Sequence, residues 1–144
     1  LRSGVFGEMM LTYFQGKGGE GIIVDGVIRD FTHAKELDLG MWLKGVTPNY
    51  HTQVSIFPNA VNIPISCGGV LVNPGDIIIA DDDGAVVVPI TLAEQLAEIA
   101  TGHTEWEVFA RKKLSEGGEL SEFYPRNAWS EKTEQEYSAW LKNN

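Results

Sequence analysis

The stretch that most limits what this chain can become is Gly21 to Asp30, which reads Gly-Ile-Ile-Val-Asp-Gly-Val-Ile-Arg-Asp. Ile22, Ile23 and Val24 are apolar and β-branched in succession, so they need cover on both faces, as in a central strand of a layered α/β domain. Asp25-Gly26 predicts a turn after them. Arg29 and Asp30 follow, just before a segment from Phe31 to Asp38 that reads as helical. Opposite charges then stand at the mouth of a sheet, where open α/β sheets place their ligands. The same two residues have a plainer reading. An Asp before a helix caps its first turn, and an Arg beside it serves as a surface ion-pair partner.

Upstream, Glu8 to Lys17 carries apolar residues nearly all round, which predicts a buried helix ended by the glycines at 16, 18 and 19. Gly16 to Gly21 matches Gly-x-Gly-x-x-Gly, but it closes a helix and precedes a strand. A dinucleotide-binding loop needs the reverse order, so a nucleotide site is rejected. Downstream, Met41 to Gly45 predicts a strand, followed by a loop with Pro48 and Pro58 around a strand candidate at Gln53 to Phe57. Pro64 to Val72 is mostly apolar, and Asn73-Pro74-Gly75-Asp76 is a turn. Ile77 to Ala80 and Ala85 to Val88 form a hairpin across Asp81-Asp82-Asp83-Gly84. These carboxylates do not alternate as calcium ligands do, and Leu92 stands where a calcium loop ends in Glu, so they are read as turn chemistry.

Thr91-x-x-Glu94 reads as a capping box opening a long helix in which Leu92, Leu96, Ile99, Trp106, Phe109 and Leu114 recur at helical spacing. Gly117-Gly118 stop it. The expected organisation is an α/β domain over residues 1–118 and a C-terminal extension over residues 119–144. That extension ends in an amphipathic helix from Glu131, with Tyr137, Trp140 and Leu141 on one face. Its aromatics need a surface to cover, either their own domain or a neighbouring subunit.

Composition narrows the function. A chain of 144 residues with 43% apolar residues can bury a real core. Eleven Lys and Arg against twenty Asp and Glu give a net charge of -9, which repels phosphate backbones and anionic lipid, so neither nucleic acid nor membrane is an expected partner. The single cysteine, Cys67, excludes an intrachain disulfide and a cysteine-rich zinc site. It reads as a small buried residue in a cytoplasmic protein. His33, His51 and His103 have no metal-ligand spacing.

Gly7-Glu8, Arg29-Asp30 and the run from Ser66-Cys67-Gly68-Gly69-Val70 to Pro89 together resemble the family of 4-hydroxy-4-methyl-2-oxoglutarate and 4-carboxy-4-hydroxy-2-oxoadipate aldolases, which also holds the regulator of ribonuclease E activity A. The family pattern is an Asp, twenty residues, then Arg-Asp; here Glu8 holds the first place. The resemblance covers Gly4 to Leu114 and implies a swivelling β/β/α sandwich, assembled as a homotrimer or homohexamer with sites between subunits. It also implies that the chain begins inside a longer protein, after an N-terminal helical and strand region.

Cleaving a 4-hydroxy-2-oxo acid between carbons 3 and 4 leaves an enolate that needs a cation or hydrogen-bond donors at the 2-oxo oxygen. Lys17, Lys35 and Lys44 lie outside any apolar run that would depress a lysine pKa, so a metal route is better supported than a Schiff base. On the resemblance, Asp30 ligates Mg²⁺ or Mn²⁺, Arg29 binds substrate oxygens and stabilises the enolate, and Glu8 orients water on the ion. The backbone from Gly7 through Glu8 and Met9 to Met10 holds the substrate carboxylate. Glu105 or Glu107, from an adjoining subunit, acts in proton transfer. Glu8 in place of Asp shifts a carboxylate by about 1.5 Å, though it also simply complements a helix N-terminus. The resemblance thus implies a metal-dependent pyruvate aldolase with oxaloacetate decarboxylase activity. The alternative it leaves open is a protein-binding regulator like the ribonuclease E inhibitor.

Overall fold

A computed structural model of the chain describes residues 3–50 and 56–143. The chain divides into two units, Leu1–Ile90 and Thr91–Asn144. The first holds α1 (Glu8–Gly16), β1 (Gly21–Ile28), α2 (Phe31–Ala34), β2 (Gly40–Val46), β3 (Ile65–Cys67), β4 (Val70–Val72), β5 (Ile77–Asp81) and β6 (Gly84–Val88).

Strands β1 and β2 pair in parallel from Gly21 opposite Gly40 to Ile28 opposite Val46, with a register shift between Val24 and Val27. That shift corrects the turn expected at Asp25-Gly26. The two residues form a bulge inside one longer strand, because Val27 and Ile28 are themselves apolar, 7% and 0% exposed, and rejoin the ladder. The hairpin β3–β4 turns on Gly68 and Gly69, whose φ values of 59° and 83° suit a two-residue hairpin that few other residues could close. The hairpin β5–β6 pairs as expected, from Ile77 opposite Val88 to Asp81 opposite Gly84. Among residues 53–57, positions 53–55 lie outside the described residues, and Phe57 is in an exposed non-strand segment.

The core of this unit is Leu11, Val24, Ile28, Ala34 and Leu39. Two expectations of burial fail. On α1 only Leu11 is buried, while Met9, Met10, Tyr13 and Phe14 are exposed. A helix can be apolar all round and still touch its own domain along one stripe. On β1, Ile23 is partly exposed because its face of the strand opens on a cleft of about 480 Å³ lined by Trp42, Ile65, Cys67, Val70 and Val87. Cys67 is accordingly half-buried.

The second unit holds α3 (Ala93–Ser115), α4 (Leu120–Phe123) and α5 (Glu131–Leu141). The capping box at Thr91 does not form. Ile90 to Leu92 make a 3-10 turn that carries Thr91 into the helical path, and α3 starts from Leu92 with no side-chain cap. Leu92, Leu96 and Ile99 are exposed, whereas Trp106, Phe109 and Ala110 are buried against Phe123 and Tyr137, with Trp129 and Trp140 around them. The helix ends as expected at Gly117, φ 94°, where Gly117 and Gly118 N–H groups return to the carbonyls of Leu114 and Lys113. Ser130 caps α5 by accepting the Thr133 N–H at 3.2 Å. Lys113 Nζ meets Glu136 at 2.7 Å, and each holds the other in its charged form. The C-terminal aromatics therefore cover the second half of α3. Leu141 stays exposed. The division at residues 90 and 91 differs from the boundary expected after residue 118, because α3 supplies the surface on which Phe123, Trp129, Tyr137 and Trp140 pack.

Candidate functional site

The site sits where the parallel strands end. Thr47 N–H donates to the Ile28 carbonyl at 2.9 Å, closing the β1–β2 ladder. On the other side of β1, the segment before α1 runs alongside it. Val5 N–H donates to Val27 at 2.9 Å and Arg29 N–H to Phe6 at 3.0 Å. These bonds bring Gly7 and the first turn of α1 against Arg29 and Asp30.

Asp30 occupies the position before α2 but does not cap it. It has φ 60° and ψ 29°, the left-handed region, and its side chain makes no capping bond. Its carbonyl accepts the His33 and Ala34 N–H groups instead. Its Oδ2 accepts from Arg29 Nε at 3.1 Å, and among the described residues Oδ1 receives no hydrogen bond. Both side chains are part-exposed, 38% for Arg29 and 47% for Asp30. The capping reading of Asp30 is thus excluded by its backbone. A non-glycine residue in this region is held there against a local preference, an arrangement that concentrates at functional sites.

The first turn of α1 completes the surroundings. Gly7 at its N-cap has no side chain to offer, and its carbonyl accepts the Met10 and Leu11 N–H groups at 3.1 and 3.3 Å. The Glu8 and Met9 N–H groups precede the helical ladder and, with the helix dipole, favour an anion. The Glu8 carboxylate accepts from Thr12 Oγ1 at 2.8 Å, one turn along the helix. Met9 and Met10 have exposed side chains. Glu105 and Glu107 belong to the second unit, on α3, where Glu107 faces His103 Nδ1 at 3.4 Å.

Sequence reasoning missed Asp25. Its carboxylate pairs with Lys44 Nζ and accepts the Gly68 N–H at 2.9 Å, tying the β3–β4 turn to the bulge of β1. The hydrogen bond from Lys44, then that from Gly68, hold its pKa below the ordinary value. An Asp-Gly pair reads locally as a turn, and Lys44 comes opposite it only through the parallel register, so no local signal announced the contact.

Among the described residues no group of three or more His, Cys, Asp and Glu could enclose a metal ion. The Asp30 carboxylate nevertheless fits Mg²⁺ or Mn²⁺. It offers hard oxygen, among the described residues one of its oxygens accepts no hydrogen bond, and its side chain is 47% exposed, which suits an ion that keeps waters when one carboxylate holds it.

Fold and site together define an α/β protein with an Arg-Asp pair at the carboxyl ends of parallel strands beside an open helix N-terminus. The chain belongs to the RraA-like family, described as Aldolase/RraA, whose model matches residues 1–87. A Halalkalibacterium halodurans protein named "Putative 4-hydroxy-4-methyl-2-oxoglutarate aldolase" is 38% identical over 85 residues, 59% of this chain and 40% of that one. An uncharacterized Methanocaldococcus jannaschii protein is 32% identical over 104 residues, 72% of this chain and 49% of that one. Among solved structures, Streptomyces coelicolor RraAS2, described as an unusual member of the RNase ES inhibitor RraA protein family, is 46% identical with TM-score 0.74, over 78% of this chain and 57% of its own. The Thermus RNA-processing inhibitor RraA is 29% identical with TM-score 0.56, over 62% of this chain and 53% of its own. The expected RraA-like α/β fold is therefore the fold of this protein, and the chain spans about half the length of the relatives it matches. No helix among the described residues is long and apolar enough to cross a membrane.

Proposed function

We propose that this protein is a divalent-metal-dependent pyruvate aldolase. It would cleave a 4-hydroxy-2-oxo acid to pyruvate and a second carbonyl compound, with oxaloacetate decarboxylation as a side reaction through the same enolate. The observation that carries the reading is the state of Asp30, whose left-handed backbone turns its carboxylate away from capping α2 and toward Arg29.

In the cleavage a base removes the proton of the 4-hydroxyl, carbon 4 becomes a carbonyl, and the electrons of the C3–C4 bond pass through carbon 3 to the 2-oxo oxygen. Carbon 3 then takes a proton to become the methyl group of pyruvate. Arg29 suits the developing negative charge. Its Nε is fixed by Asp30, which leaves the outer edge of a planar cationic fork for the substrate carboxylate and 2-oxo oxygen. The first-turn N–H groups of α1, in the segment Gly7 to Met10, add fixed donors for the same carboxylate. Asp30 would hold Mg²⁺ or Mn²⁺, which when bound supplies Lewis-acid stabilisation of the enolate oxygen. Glu8, steadied by Thr12, would orient water beside it. Glu105 or Glu107 would serve in proton transfer from an adjoining subunit of a homotrimer or homohexamer.

A second reading has its own support. The 46% identity to a member of the RNase ES inhibitor family favours a protein-binding regulator, and fold does not decide between the two. Pyruvate release from 4-hydroxy-2-oxo acids and oxaloacetate, with Mg²⁺ or Mn²⁺ and then with chelator, separates them. The lyase reading requires metal-dependent release. Its absence across such substrates, together with stoichiometric binding to a ribonuclease E-type enzyme, would establish the regulator.

A further inference from the structure

Gly7 precedes α1 with φ -115° and ψ 169°, an extended conformation open to any residue, so backbone freedom does not explain a glycine there. Space does. A methyl carbon built on its α-carbon would lie 2.7 Å from Arg29 Nε, 2.8 Å from Asp30 Oδ2 and 3.1 Å from Arg29 Nη2. Comfortable contact for such a carbon begins at about 3.5 Å. These three nearest atoms all belong to the side chains of the charged pair.

We infer that Gly7 is a positioning residue: its bare α-carbon lets the Arg29 guanidinium and Asp30 carboxylate close on each other against the first turn of α1. Any side chain there would push the pair off. The obstructing atoms are the ends of part-exposed side chains, so the protein can yield by rotating them. Stability should then change little while the site loses its arrangement. Gly4 is the contrast. A methyl carbon there would meet the Asn49 carbonyl at 2.9 Å and the Arg29 backbone nitrogen at 3.3 Å, so substitution must move backbone and lower stability. The effect of Gly7 on turnover rests on the lyase reading, whereas its effect on the Arg29–Asp30 contact does not.

Gly7→Ala in the full protein tests this with three readouts: thermal melting, the Arg29 Nε–H resonance (assigned by its loss in Arg29→Lys), and lyase kinetics. The melting temperature should stay within a few degrees. The Arg29 Nε–H signal should shift and exchange faster with water, and kcat/KM should fall on the order of a hundredfold, as a misplaced catalytic contact does. A parental Nε–H signal, or parental kcat/KM in an active protein, overturns the inference. A shifted signal in a protein whose parent releases no pyruvate upholds the positioning role and sinks the lyase reading alone. If Gly7→Ala fails to fold, the same change is made in an Arg29→Ala, Asp30→Ala background. Recovery of folding there supports the clash with the pair, and continued failure assigns Gly7 to the backbone and overturns the inference.

Discussion

Replacing Asp30 with Asn separates what the residue does for the fold from what it does for the site. The stability cost follows from the structure. The side chain caps nothing, so no cap is lost. Its ion pair with Arg29 spans 3.1 Å between groups 38% and 47% exposed, which limits its contribution to at most about 1 kcal/mol. Asn tolerates the left-handed region at least as well as Asp. The variant should therefore melt within about 4 °C of the parent. Asp30→Gly makes a second check, since removing the left-handed penalty gains about 1 kcal/mol and the freer unfolded chain offsets roughly 0.5–1 kcal/mol of it. Activity should behave differently. The amide removes the anionic oxygen proposed to hold the divalent ion, and turnover at saturating Mg²⁺ should fall by about a hundredfold or more, some 2.7 kcal/mol in the barrier. Melting curves and Mg²⁺ titrations of pyruvate release would be run side by side. An Asp30→Asn protein with parental turnover and metal dependence would refute the ligand assignment, and a melting temperature lower by ten degrees would refute the claim that the carboxylate is spared from the fold.

Arg29→Lys keeps the charge but loses the fork, and should slow turnover by about 2–4 kcal/mol of barrier, the range for loss of an oxyanion donor; a change within threefold would make Arg29 an ion-pair residue only. Asp25 has its pKa lowered below 3.8 by Lys44 and Gly68, so its contribution to stability is present well above that value and is lost as pH falls through the lowered one. Urea midpoints of parent and Asp25→Asn should accordingly differ at pH 7 and converge as the pH falls through the lowered value, and a difference independent of pH would contradict the assignment. Phe109→Ala, at a side chain 1% exposed in the aromatic core of the second unit, should cost about 3–5 kcal/mol by chemical denaturation, whereas a cost below 1 kcal/mol would show that the C-terminal aromatics do not cover α3.

What the sequence disclosed were features whose cause is local. The hairpin at Ile77 to Val88 follows from two β-branched runs across an Asp-Gly turn, and the end of α3 follows from Gly117. The adjacency of Arg29 and Asp30 at the end of β1 was equally legible, because both sit in one run of chain. What escaped was set by pairing between distant segments. Asp25-Gly26 has turn chemistry, yet the parallel register with β2 absorbs it as a bulge and supplies Lys44 as its partner. Thr91 and Glu94 have capping-box spacing, yet the 3-10 turn from Ile90 moves the helix start past Thr91. Asp30 looks like a cap in sequence, and only its backbone angles show that it is not one.

The central claim is that Arg29 and Asp30 stabilise a pyruvate enolate, and the most direct measurement is hydrogen exchange at the methyl group of pyruvate itself. It does not depend on knowing the natural substrate. Pyruvate in D₂O would be followed by proton NMR with the protein and Mg²⁺ or Mn²⁺, with chelator, and with the Arg29→Lys variant. The account predicts loss of the methyl signal that requires both the metal and Arg29. Exchange no faster than in protein-free solution, or equal in the parent and the Arg29→Lys variant, would contradict it.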